Sequence, residues 1–264
     1  MVYHQLVAHF ATADFREFLA WGPGVEGALF DDGARSTAAA WRPTAAPSIA
    51  VAADSGGVPY TLTDMYGRRV RMVPYGDRTI LSVGQDPVFF DFGARPRRFS
   101  AVPAAVAIET PGPLPPGAAS TVRVRFRNDF GKPLAAEMTL SVDETWTIEP
   151  AVVPVTLAAG ASQEFAFSVT PPADAEPGAR PALLRAATAA GTAVCVRETI
   201  EVAAPLALSI AETPFTGRAP AAVSLSLANR TGAPVSGVVS LSGDFGAGDR
   251  PERMEREISA PPGG

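Results

Sequence analysis

The chain has 264 residues, of which 47% are hydrophobic and 19% charged, so it has the composition of a globular protein of two or three domains. Its net charge of −5 and its single lysine, Lys132, exclude the basic surface that nucleic-acid binding requires. Its single cysteine, Cys195, excludes an intrachain disulfide and a cysteine-rich metal site, and its strand-like context favours a small buried side chain.

The N-terminal segment is predicted to form one short amphipathic helix, because its hydrophobic residues recur at helical spacing: Val2, Leu6, Val7 and Phe10. The two histidines, His4 and His9, lie five residues apart on this segment and do not share a face, so they do not predict a metal site. The segment lacks the basic start and continuous apolar core of a signal peptide. No stretch approaches the roughly 20 apolar residues of a membrane span, and the compartment stays open.

The rest of the chain is predicted to be all-β. Between Phe15 and Phe92, apolar runs follow one another with glycine-containing turns between them, at the roughly 8–12 residue spacing of a sandwich or barrel. These runs are VEGALF, STAAAWR, SIAVAA, PYTLTD, RRVRMV, TILSV and PVFFDF. Residues 1–95 therefore predict a β-sandwich preceded by the short helix. Residues 96–104 contain two prolines and show no alternation of apolar and polar residues, which predicts a linker.

Residues 105–203 predict a second sandwich, whose first long strand alternates in character. Val122, Val124 and Phe126 share one face of this strand. The opposite face carries three arginines: Arg123, Arg125 and Arg127. A solvated face on which arginines pair with glutamates is favoured over a contact with an acidic glycan. The module length, roughly 100 residues, is that of an immunoglobulin-like domain.

Residues 204–264 predict an incomplete copy of the second module. The Asn-x-x-Gly-x-Pro turn of Asn128–Pro133 recurs at Asn229–Pro234, between alternating strands in both places. The terminal EREISAPPGG corresponds to PVTLAAGA of the first copy, so the closing strands of the repeat have no counterpart. We therefore interpret the chain as a segment of a longer protein, and its function as that of a part.

Neither a catalytic, a cofactor nor a metal site is predicted. The acidic pairs Asp31-Asp32 and Asp143-Glu144 lie in turn contexts, where solvated charges are the favoured interpretation. Glycoside hydrolysis needs two carboxylates facing each other across a cleft. The sequence gives no such pair, no nucleophile elbow and no phosphate loop.

Aromatic residues are the candidates for carbohydrate binding, because sugars stack on exposed rings. Trp41 ends a predicted strand and Trp146 begins one, and both match core positions in the families that the chain resembles, which favours a role in the core. The remaining candidates are Trp21, Tyr60, Tyr66 and Tyr75.

Short motifs resemble known families. The segments YTLTDMYGRRVRM and RTILSVGQDPVFF resemble the all-β domain that follows the catalytic barrel of many glycoside hydrolases. The match is carried by Asp64, Tyr66, Gly67, Pro87, Val88 and Phe89, and the preceding hairpin ends on Trp41. This resemblance implies that the predicted helix is the last helix of a barrel that is absent from the chain.

Residues 105–203 resemble the immunoglobulin-like module called the alpha-galactosidase NPCBM-associated domain. The matching features are the Asn128–Pro133 turn and the segments TWTIEP, LAAGAS and PPADAEPGA.

Together these resemblances imply a non-catalytic accessory region of a carbohydrate-active enzyme, which braces and spaces a catalytic barrel. The implied partners are that barrel and a polysaccharide. The alternative is a carbohydrate-binding or surface-adhesion protein built from tandem sandwiches. An independent enzyme would require a pocket with perturbed carboxylates.

Overall fold

The computed structural model describes residues 13–22, 24–43, 47–93, 96, 98–204, 206–211, 224–230, 234–243 and 252–261. These residues form strands and turns, which confirms the predicted all-β class, and they contain no helix that could cross a membrane. The helix predicted over residues 2–10 lies outside the described residues.

The first module consists of two facing sheets. Its strands are β1 (Asp14–Ala20), β2 (Glu26–Asp31), β3 (Ser36–Trp41), β4 (Ile49–Asp54), β5 (Tyr60–Asp64), β6 (Arg69–Met72), β7 (Arg78–Val83), β8 (Val88–Phe92) and β9 (Ser100–Pro103). One sheet has the order β1-β2-β3-β8-β5-β6, and the other places β4 between β7 and β9. Each apolar run predicted between Phe15 and Phe92 forms a strand, β2 to β8 in order.

The core of the first module is built from strands with continuous burial, such as β4 and β7, and from strands in which buried and exposed residues alternate. In β6, Val70 and Met72 are buried while Arg69 and Arg71 are exposed, as one face of a half-buried strand requires. The turns that return the chain use glycine where the backbone is left-handed. Gly67, with φ of 85°, closes the turn after β5, because a side chain in this conformation would be strained.

The segment predicted as a linker contains a strand instead. β9 pairs antiparallel with β4 over residues 100–103. Just before it, Phe99 packs edge-on against Phe90 and Phe92, with ring centroids 5.2 and 5.0 Å apart. The prolines that suggested a linker are compatible with this strand, because Pro103 lies at the end of an outer strand, where a missing N–H is tolerated.

The second module is a sandwich of two four-stranded sheets. Its strands are β10 (Val106–Glu109), β11 (Ser120–Arg127), β12 (Leu134–Ser141), β13 (Thr147–Glu149), β14 (Val153–Leu157), β15 (Ser162–Thr170), β16 (Gly178–Thr188) and β17 (Gly191–Val202). The sheets have the orders β10-β11-β15-β13 and β14-β12-β16-β17. The residues predicted to point inward from β11 are fully buried: Val122, Val124 and Phe126.

The arginine face of β11 is solvated and paired with acids, as predicted. Arg123 lies 3.4 Å from Glu164 and Arg125 lies 3.0 Å from Glu109, both on neighbouring strands. Arg127 pairs with Asp129 at 2.7 Å. Exposed ion pairs of this kind contribute little, about 0–1 kcal/mol each.

The third segment contains two pairs of strands, and the sequence predicts that it repeats the start of the second module. Its strands are β18 (Leu206–Ala211), β19 (Ser224–Asn229), β20 (Val235–Gly243) and β21 (Glu252–Ala260), paired β18 with β19 and β20 with β21. Asn128 Nδ2 donates to two consecutive carbonyl oxygens at the end of β14, at 3.0 Å each. Asn229 Nδ2 donates to two consecutive carbonyl oxygens at the end of β21, also at 3.0 Å each. The two asparagines of the recurring turn motif thus make matching contacts.

The repeat differs from its template at two strand edges. In the second module β11 also pairs with β15, and β12 also pairs with β16. Within the described ranges, no strand takes the place of β15 beside β19 or of β16 beside β20.

Candidate functional site

The first and second modules share a strand. β17 closes the sheet of the second module and also runs parallel to β7, with Val194 opposite Ile80 and Cys195 opposite Leu81. Because side chains alternate across β17, Val194 enters the core of the second module and Cys195 that of the first. Cys195 is therefore the predicted buried hydrophobe, and burial raises the pKa of its thiol.

A groove of about 880 Å³ opens beside this shared strand. One wall is the turn after β5, which carries Tyr66 and Arg68, together with the turn between β7 and β8. The other wall consists of residues 179–181 at the start of β16 and residues 197–199 on β17. The groove is therefore formed jointly by both modules.

Asp64, at the end of β5, organises the floor of the groove. Its buried carboxylate accepts hydrogen bonds from the backbone N–H groups of Tyr66 (3.0 Å) and Arg68 (2.8 Å), as an Asx turn does. It also accepts from Arg68 Nε at 2.7 Å and from Arg197 Nη1 across the module boundary. Burial alone would raise the pKa of Asp64, but these hydrogen bonds and the Arg197 charge outweigh burial and lower the pKa.

Further hydrogen bonds cross the boundary next to this carboxylate. Ser48 Oγ donates to Glu198 Oε1 at 2.6 Å, or alternatively to the Arg197 carbonyl oxygen at 3.2 Å. The backbone N–H of Arg197 donates to Ser82 Oγ at 2.7 Å. The polar groups of β17 that face the first module are thus satisfied by side chains of that module.

A second contact between the modules lies at Tyr75, in the turn before β7. Its hydroxyl donates to the Pro133 carbonyl oxygen at 2.7 Å. Lys132 Nζ lies 3.9 Å from the centroid of its ring, and Phe130 packs edge-on at 5.6 Å. The hydroxyl and one ring face of Tyr75 are thus occupied by contacts between the modules.

The four aromatic candidates do not form one surface. Trp21 is 1% exposed and packs against Phe90 and Phe99, and Tyr60 is 3% exposed with its hydroxyl 2.5 Å from Thr79 Oγ1. Neither ring has a face open to a sugar, and burial raises the pKa of Tyr60. Of the four, Tyr66 alone combines an exposed ring, at 53%, with a place in the groove.

The two tryptophans that were predicted to lie in the core differ in their burial. Trp146 is buried in the core of the second module, as predicted. Trp41, the last residue of β3, is half-buried and belongs to neither of the two core clusters.

The groove residues of β17 were missed by sequence reasoning. Arg197 and Glu198 follow the apolar run AVCV within one strand, where charged side chains are unusual unless they are paired. Two charged residues directly after an apolar run within one strand were therefore the sequence signal that could have identified this site. Their partners Ser48 and Ser82 have no distinguishing local context.

The partners of Asp64 determine its protonation state. Asp64 is held ionised by two guanidinium groups, so it is a poor proton donor near neutral pH. Among the described residues, no group of three or more His, Cys, Asp or Glu side chains could hold a metal ion. Asp32 caps its own turn, and hydrogen bonds from the backbone of Arg35 and Ala34 lower its pKa.

The strand order defines the second module as a β-sandwich. Residues 114–189, which include β11 to β16, match the family model described as the NPCBM-associated, NEW3 domain of alpha-galactosidase. This match confirms the resemblance predicted for the second module. No curated protein matches the chain.

Weak likenesses to solved structures span larger parts of the chain. Red sea bream transglutaminase aligns with 76% of this chain and 33% of its own, at 11% identity and a TM-score of 0.32. A putative beta-galactosidase from Bacteroides fragilis aligns with 76% of this chain and 36% of its own, at 10% identity and a TM-score of 0.31. A Bacteroides uniformis beta-glucuronidase aligns with 66% of this chain and 26% of its own, at 15% identity and a TM-score of 0.27. The chain thus spans about a third of their length or less, and these scores carry no argument about function.

Proposed function

We propose that the chain is a non-catalytic accessory region of a carbohydrate-active enzyme, which braces a catalytic domain and spaces it from the following modules. The observation that carries this proposal is the strand β17, which belongs to the sheets of both modules. A strand hydrogen-bonded on both sides cannot act as a hinge without losing ladder bonds on one side.

The packing of the two cores supports a rigid joint. Ala50, Ala52 and Ile80 of the first module belong to the core cluster of the second. Leu183 and Cys195 of the second module belong to, or pack against, the cluster of the first. Separating the modules would expose both groups to water, at about 25 cal/mol per Å² of apolar surface.

The family match supports the enzyme class. The description of the matching model ties the NEW3 domain to alpha-galactosidase, and we extend that association to this chain. The proposed partners are the catalytic barrel of the parent protein and its polysaccharide substrate. In the proposed arrangement the first module contacts the barrel, because the motifs around Asp64 and Val88 resemble the domain that follows such barrels.

The non-catalytic part of the proposal is tested with a panel of aryl glycosides. We expect no turnover above buffer from the purified chain, because glycoside hydrolysis needs a protonated acid that donates to the leaving group, and the groove carboxylate Asp64 is held ionised by Arg68 and Arg197. Turnover that disappears on substitution of a single Asp or Glu in the first module would overturn the proposal.

A second candidate function, carbohydrate binding, is favoured by one observation. Tyr66 presents an exposed ring at a groove whose floor is fixed by hydrogen bonds between the modules. This arrangement is compatible with a bracing role, since accessory regions can hold a glycan and a catalytic domain at once.

A further inference from the structure

We propose that the groove between the two modules binds a carboxylate-bearing sugar of a polysaccharide. The ring of Tyr66 stacks on the sugar, and the guanidinium groups of Arg68 and Arg197 receive its carboxylate. The inference deepens the second candidate function and rests on it for the class of ligand.

Tyr66 provides the stacking surface. Its backbone N–H is bonded to Asp64 at 3.0 Å, so the turn that carries the ring is fixed before a ligand arrives. The Arg68 guanidinium carbon lies over the ring, 5.4 Å from its centroid. Because the ring is still 53% exposed, it retains surface for a sugar.

The two arginines provide the specificity for an acid. A guanidinium group has five N–H donors in a planar fork that matches a carboxylate. Asp64 uses Nε of Arg68 and Nη1 of Arg197, which leaves further donors on both groups.

The groove lining carries three arginines (Arg68, Arg180, Arg197) and three acids (Asp64, Asp86, Glu198), so the preference for an acid rests on the remaining N–H donors of Arg68 and Arg197 and not on net charge. Glu198 is engaged by Ser48 Oγ at 2.6 Å, and Asp86 is exposed on the turn between β7 and β8. Arg180, on the opposite wall, is itself paired with Glu176 at 3.6 Å and with Asp143 at 3.9 Å. The volume, about 880 Å³, lies within the range of small-ligand sites.

The test is calorimetric titration of the full chain with trigalacturonate and with maltotriose, a neutral trisaccharide. We expect trigalacturonate to bind, and to bind more weakly as salt is raised, because its partners are charged. Maltotriose should bind at least about tenfold more weakly, since it lacks the charge-assisted hydrogen bonds.

Variants assign the binding to the groove. Tyr66→Ala should weaken trigalacturonate binding about tenfold, the order of an aromatic stacking contact. Phe18→Ala is the matched control, because this ring is 78% exposed on β1 and lies outside the groove. Arg68→Gln should also weaken binding, with an unchanged far-UV spectrum showing that the chain is folded.

Three results would overturn the inference: no heat of binding at millimolar trigalacturonate, equal affinity for maltotriose, or equal losses in Tyr66→Ala and Phe18→Ala. None of them bears on the shared strand β17. Failure of this inference is therefore distinguishable from failure of the proposed bracing role, which depends on the joint alone.

Discussion

The joint between the modules makes a quantitative prediction at Arg197. Arg197→Ala removes a guanidinium group that donates to a carboxylate buried on the other module. Asp64 keeps its bonds from Arg68 and from two backbone N–H groups, so the carboxylate is not left without partners. We therefore expect the loss of one charge-assisted hydrogen bond, which is about 1.5–3 kcal/mol.

The assay is thermal and guanidinium unfolding of the full chain, followed by circular dichroism. For the two joined modules, a loss of about 2 kcal/mol in the free energy of unfolding corresponds to a fall in Tm of about 4–8 °C. The matched control is Arg123→Ala, which removes the same side chain from an exposed pair with Glu164. That variant should lose about 1 kcal/mol or less.

Equal losses in the two variants would refute the reasoning, because they would show that the contact between the modules is worth no more than a surface pair. A double-mutant cycle of Asp64→Asn with Arg197→Ala isolates the pair itself. We expect the two losses to be non-additive, since each substitution removes the same interaction.

Three further predictions follow from local geometry. Gly27→Ala should cost about 1–3 kcal/mol in urea unfolding, because its Cβ would lie 2.0 Å from Trp21 Nε1, whereas Gly93→Ala, with open space around it, should cost little. Because the pKa of Asp64 is lowered in the folded state, its contribution to stability is present above about pH 4 and is lost as the pH falls through the folded value. Asp64→Asn should therefore flatten the acid limb of the stability curve, and an unchanged limb would contradict this. Amide exchange should be faster in β19 and β20 than in β11 and β12, because in the described part of the chain β19 and β20 are paired on one side and such strands are less protected. Equal protection would show that their second edges are covered.

Local patterns predicted the strands of the second module well. The alternation of Val122, Val124 and Phe126 with arginines is a property of consecutive residues, and burial on one face follows from it. The equivalence of Asn128 and Asn229 was also predictable, because the turn motif recurs with the same neighbours.

The candidate site could not be predicted in the same way. Arg197 meets Asp64 across 133 positions of sequence, and no local pattern encodes such a pair. The burial of Trp21 and Tyr60 likewise depends on which strands face each other. Tyr66 was identified from its residue type, but the groove beside it exists only because β17 joins the first module.

The most direct test of the central claim is a set of residual dipolar couplings from backbone amides of the two modules in the full chain. A rigid joint predicts that both modules fit one alignment tensor, with the relative orientation set by the pairing of β17 with β7. Two tensors of different magnitude would show that the modules move independently, and would contradict the bracing role.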